Sequence, residues 1–211
     1  MHNTISDQHF FLDKFGTPTR GITDSDYQFA ASALGIEIAA IKAVAQVETK
    51  GDAFDKIGRP RILFERHYFH RLTHGRYDKS HPELSNPRPG GYGKFCVQYN
   101  KLRTASRLNA TAAVKSCSWG KFQIMGIYFK EAGYSSAQDF AQSMRVSEAA
   151  RLGAFVKFIA SNAHLLLHLK AKNWPQFARG YNGANYRTNS YDSKLEAAFK
   201  GFQAAKIPGN P

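Results

Sequence analysis

The chain has 211 residues, 43% of them hydrophobic, with 29 Lys and Arg against 16 Asp and Glu for a net charge of +13. That length suits one domain with a sizeable core, and the composition excludes a disordered chain. The charge points to a polyanionic partner: nucleic acid, an anionic membrane surface or an acidic wall polymer. It is unevenly spread: residues 1–55 hold four basic and eight acidic side chains, net −4, leaving +17 on residues 56–211. No apolar run reaches the roughly 18 residues of a membrane span. The N-terminus, with Asp7 and Asp13 among its apolar residues, lacks the layout of a signal peptide, so synthesis in the cytoplasm is expected. Cys96 and Cys117 are expected as two unpaired thiols. Neither CxxC nor HExxH occurs, so no metal or organic cofactor is expected.

Residues 1–22 are punctuated by Gly16, Pro18 and Gly21 and read as a lead-in to a domain spanning 23–211. Thr23 opens a helix, with Asp24 and Asp26 in its first turn, and Gly35 ends it. A second helix is predicted from Glu37 to Glu48, with Ile38, Ile41, Val44, Ala45 and Glu48 on one face and Gly51 as its stop. Residues 53–64 are predicted as a hairpin around Gly58. Residues 73–95 hold three prolines and no period, which marks a functional loop. Helices are predicted over 97–108, 110–117 and 119–131. Ser147 caps a long helix with a stripe of Leu152, Phe155, Val156, Ile159, Ala163, Leu166 and Leu167. A further helix runs from Asn173 or Trp174 to Gly180, and a last one covers Tyr191–Phe202. The fold class is mainly α with a small β-hairpin.

Glu48 continues the apolar stripe of its helix. A carboxyl turned toward the core holds its proton more tightly, as a general acid requires; a Glu curling out to solvent at the last turn is the other reading. Asp52, Asp55 and Glu65 follow on or beside the hairpin, and an acid paired with a nearby carboxylate is the arrangement that cleaves glycosidic bonds. Glu65 abuts Ile62-Leu63-Phe64, and Arg59, Arg61 and Arg66 lie near it in sequence, which would keep it ionised. In Ser118–Gly126, Gln123 sits among Trp119, Phe122, Ile124 and Met125. It either reads sugar hydroxyl or acetamido groups or bonds the backbone. Tyr181-Asn182-Gly183 follows a helix end and presents a ring and an amide. His67, His70, His74 and His81 read as solvated.

In this order, Val47-Glu48-Thr49-x-Gly51, Gly58-Arg59-Pro60-x-Ile62-Leu63-Phe64-Glu65-Arg66-His67, Ser118-Trp119-Gly120-x-Phe122-Gln123-Ile124-Met125-Gly126 and Tyr181-Asn182-Gly183 resemble the N-acetylmuramidase family of phage and prophage endolysins. The resemblance covers roughly residues 25–203. It implies a lysozyme-like fold and cleavage of the N-acetylmuramic acid to N-acetylglucosamine bond of peptidoglycan, with Glu48 as the acid. It places Gln123, Tyr181, Asn182, Trp119 and Phe122 along the glycan. Thr49 stands where relatives often have Ser, which keeps the hydroxyl.

The second catalytic group stays open. Glu65 is the first choice and Asp55 the second. If neither serves, the substrate's own hydroxyl attacks, as in a lytic transglycosylase. The resemblance selects the bacterial wall and its anionic envelope as partner over nucleic acid, and a monomer is the default. The protein is expected to reach the wall, in the periplasm, only after release from the host cytoplasm.

Overall fold

The computed structural model describes residues 21–48, 54–55 and 57–205. Thr23 caps α1 (Asp24–Leu34) reciprocally: its hydroxyl accepts from the Asp26 amide, and its own amide donates to the Asp26 carboxylate at 2.8 Å. This satisfies two amides that the first helical turn leaves without partners. Gly35 closes the helix in the left-handed conformation, φ 61°. α2 (Ile38–Glu48) is buried on nearly every side, through Ala39, Ala40, Ile41, Ala43, Val44, Ala45 and Val47. Its run of alanines lets neighbouring helices approach closely. The central helix of the domain therefore ends at Glu48, while the expected stop at Gly51, together with Thr49 and Asp52, lies outside the described residues.

The sheet has three short antiparallel strands in the order β1 (Ile62–Phe64), β2 (Cys117–Trp119), β3 (Ile124–Met125). Ile62 faces Trp119 and Phe64 faces Cys117; Ser118 faces Met125. Two expectations change here. The hairpin foreseen over 53–64 is reduced, among the described residues, to a single bridge between Phe54 and Pro60; β1 takes a partner far along the chain instead. The segment foreseen as a helix over 119–131 is the β2–β3 hairpin followed by a short 3-10 turn at Gly126–Tyr128. Gly120, φ +68°, makes the hairpin turn, and the Arg151 side chain fills the space where a Cβ would stand.

Beyond β1 come α3 (Arg66–Leu72) and the long loop over 73–94. Arg66 donates to the carbonyls of Arg88 and Pro89, Lys101 to those of Gly91 and Tyr92, and Gln98 to those of Tyr92 and Lys94. α4 (Gln98–Lys115) is interrupted at Asn109, whose side chain accepts from the Ala112 amide and restarts the helix, close to the two helices foreseen there. α5 (Ala137–Val146) precedes α6 (Glu148–Ser161) and α7 (Ala163–Lys170). The long helix foreseen after Ser147 is thus two helices at 103°, because Asn162 caps the second by accepting from the Leu165 amide. Leu167, foreseen on the buried stripe, is exposed.

α8 (Trp174–Asn182) and α9 (Tyr191–Ala204) complete the chain, and α9 packs along α2. The domain is mainly helical with one small antiparallel sheet, the lysozyme-like arrangement foreseen. Cys96 is exposed and Cys117 buried, and neither is in a disulfide. No single helix among the described residues is long and apolar enough to cross a membrane.

Candidate active site

Glu48 stands at the C-terminal end of α2, half-buried. The end of α8 meets it there. Asn182 Nδ2 donates to Glu48 Oε1 at 2.8 Å, and the buried Asn182 Oδ1 has no hydrogen-bond partner among the described residues. Helix α8 runs two residues past the foreseen stop at Gly180, so Tyr181 and Asn182 form its last turn and are held by helical geometry. The Tyr181 ring is wedged between Phe177 (5.4 Å, stacked), Phe155 (6.1 Å) and Phe158 (6.0 Å), and its hydroxyl donates to the Phe122 carbonyl at 2.7 Å. Burial, reinforced by the Glu48 charge, pushes the Tyr181 phenol well above its ordinary value. Tyr191, at the start of α9, is raised by the same two causes in the same order. Tyr191 is a site residue missed by the sequence analysis.

Glu65 lies at the junction of β1 and α3, with its amide donating to the Ser116 carbonyl at 2.8 Å. Its carboxyl is largely buried. That burial raises its pKa, against a hydrogen bond from Tyr92 that lowers it. Tyr92 answers in kind, pushed up to about 12 by burial and by Glu65. The three arginines foreseen as holding Glu65 ionised are turned elsewhere. Arg59 pairs with Asp55 at 2.7 Å, Arg61 lies over the Phe95 ring, and Arg66 binds loop carbonyls. Strand alternation and helix onset send neighbours in sequence to different faces. His67 Nδ1 stands 3.2 Å from Glu65 Oε2 but out of line for a hydrogen bond. Burial, then Arg71 and Arg66, hold the imidazole below its usual range, so it is neutral at neutral pH.

Asp55, the second choice, is committed to its own turn. Its carboxylate accepts from the amides of Ile57 and Arg59 and pairs with the Arg59 guanidinium. Gln123 occupies the left-handed region, φ 46°, at the hairpin turn. Its Oε1 accepts from the Ser118 hydroxyl at 2.7 Å, and its Nε2 donates to the Gly120 carbonyl at 2.8 Å. Trp119 and Phe122, expected along the glycan, are 0% and 1% exposed. Trp119 donates to the Val114 carbonyl and Phe122 stacks on Phe155 at 4.7 Å. Their side chains offer no face to a ligand; they lock the hairpin whose carbonyl fixes Tyr181. No cluster of three or more metal-ligating side chains occurs among the described residues.

Two carboxyls therefore stand in unlike surroundings. One is on a helix end among an amide and two phenols; the other is largely buried beside one phenol. The profile of the N-acetylmuramidase family matches residues 37–203. Among solved structures, the chain is similar to the Burkholderia AP3 phage endolysin, with TM-score 0.82 and 41% identity, over 89% of this chain and 73% of that one. No curated protein matches it.

Proposed function

The chain belongs to the N-acetylmuramidase family, and from that premise we propose that it is an endolysin in which Glu48 is the general acid and Glu65 the general base for hydrolysis of the bond from N-acetylmuramic acid to N-acetylglucosamine. The protein is a glycoside hydrolase that degrades peptidoglycan, and it acts at the cell wall. What carries the assignment of the acid is the Asn182–Glu48 contact at the end of α2. The C-terminal end of a helix disfavours added negative charge, which suits a carboxyl that must carry a proton. The Asn182 amide fits both states of that carboxyl. Nδ2 donates to the carboxylate, and after half a turn Oδ1 accepts from the acid.

In the reaction, Glu48 protonates the glycosidic oxygen as the bond to the muramic acid breaks. Glu65 takes a proton from the attacking water. Burial makes Glu65 a stronger base once ionised, and the Tyr92 hydroxyl steadies the ionised form. Tyr181 fixes the hairpin against α8 and so sets where Glu48 meets the sugar. Gln123 shapes the hairpin turn.

Purified protein is expected to clear suspensions of bacterial walls. A Glu48→Gln variant with unchanged circular dichroism and melting temperature is expected to leave them turbid. A folded, fully active Glu48→Gln would overturn the assignment.

A second reading rests on the same buried Glu65. If its proton stays on, the muramic acid's own hydroxyl attacks the anomeric carbon as the glycosidic bond breaks, gives its proton to the now ionised Glu48, and the product is a 1,6-anhydro sugar, the lytic transglycosylase outcome.

A further inference from the structure

A row of aromatic side chains leads from Glu65 to Tyr181. From Glu65 it passes to His67, whose ring meets Tyr68 edge-on at 4.8 Å. Tyr68 and Tyr128 are linked through their hydroxyls. Tyr128 meets Phe158 at 5.3 Å, and Phe158 meets Tyr181 at 6.0 Å, whose phenol feels the Glu48 charge. The row draws on α3, the turn after β3, α6 and α8, elements with no local reason to align their aromatic residues. Tyr128 is 38% exposed, a large ring that the core does not claim. Tyr68 and Phe158 are half-buried. Arg71, exposed one turn along α3, lays its guanidinium over the Tyr68 ring at 4.3 Å. Glu131 is an acidic neighbour on the Tyr128 side, and Arg66 adds positive charge on the His67 side.

Rigid amphipathic rings with hydroxyls at their edges suit sugars, which stack an apolar face and hydrogen-bond around their rim. A guanidinium preoriented on a ring suits a carboxylate. We propose that Tyr68 and Tyr128 form a platform for the glycan strand on the Glu65 side of the site, and that Arg71 beside it takes a carboxylate of the peptide stem borne by muramic acid. The site selects strands that still carry stems, because the cation lies at one edge of the platform while the rings serve any sugar. This rests on the peptidoglycan hydrolase reading above, which it extends to substrate choice.

The test is steady-state kinetics on two soluble strand preparations, one with peptide stems and one stripped of them by an amidase, which leaves only the short lactyl carboxylate on each muramic acid. Wild-type protein that cleaves neither would overturn the hydrolase reading and this one with it. Given wild-type cleavage, Arg71→Gln is expected to raise KM about tenfold on stem-bearing strands, the scale of a lost charged hydrogen bond, and to leave the stripped strands unchanged. Tyr128→Ala is expected to raise KM on both preparations, with kcat nearly unchanged, and Tyr128→Phe to fall between it and wild type. An Arg71→Gln protein of wild-type KM on stem-bearing strands, or of equal loss on both, would overturn the stem contact. Arg71 is exposed, so its variant folds whether or not Tyr128→Ala does. A folded Tyr128→Ala with wild-type KM would overturn the platform.

Discussion

The two carboxyls differ in how the fold holds them. Glu48 is delivered by the end of a largely buried helix and met by the end of another, so its place depends on the packing of α2, α8 and α9. Glu65 is delivered where a three-residue strand meets α3, and its carboxyl is bonded by Tyr92 of the long loop, whose carbonyl is held by donors from Gln98 and Lys101 of α4. The difference teaches that an acid can be set by rigid elements alone, while its partner is tuned by a segment without regular structure. Enzymes commonly separate acid from base by unlike surroundings of this kind.

The comparison can be broken most severely at Glu48. Glu48→Gln is expected to lower wall clearing by about 10²–10⁴, the usual worth of a general acid. Glu65→Gln is expected to lower it by about 10² or more, and to do one thing Glu48→Gln does not. Burial raises the Glu65 pKa on folding. Ionising it therefore costs stability as pH rises above its unfolded value, and that cost vanishes as pH falls. Glu65→Gln should melt at a higher temperature than wild type at neutral pH and at the same temperature in acid. A lower melting temperature at neutral pH would contradict the burial argument.

Smaller effects sharpen the contrast. Tyr92→Phe removes the hydrogen bond that lowers the Glu65 pKa. The acidic limb of the pH–rate profile should therefore move to higher pH, while Tyr181→Phe leaves that limb in place. Tyr181→Phe instead strips the Phe122 carbonyl of its donor and should cost about 1 kcal/mol in denaturant unfolding. Thr23→Ala, remote from both carboxyls, should cost about 1 kcal/mol through the lost cap with unchanged kcat.

How far the sequence could be read follows the same division. Local capping signals read true at several helix ends, though α8 passes the stop foreseen at Gly180. Thr23, Gly35, Ser147 and Asn173 all terminate helices as expected, and Glu48 closes a core helix. Where pairing is non-local, the reading failed. The strands around Trp119 and Ile124 are three and two residues long, too short to show a period of two, and β2 finds β1 more than fifty residues upstream. The apolar content of Ser118–Gly126 then read as helix, although Gly120 was the available turn signal. Asn162 was likewise passed over as a cap inside an apolar stripe. Tyr92 lies in a Gly- and Pro-rich loop with no pattern to single it out, and the arginines near Glu65 in sequence are turned to other partners in space.

The most direct test of the acid–base account is mass spectrometry of muropeptides released by the wild-type protein. Glu48 as acid and Glu65 as base predict products that all end in a reducing N-acetylmuramic acid, with one solvent oxygen incorporated per cleavage. Products ending in 1,6-anhydro-N-acetylmuramic acid, without solvent oxygen, would contradict Glu65 as the base.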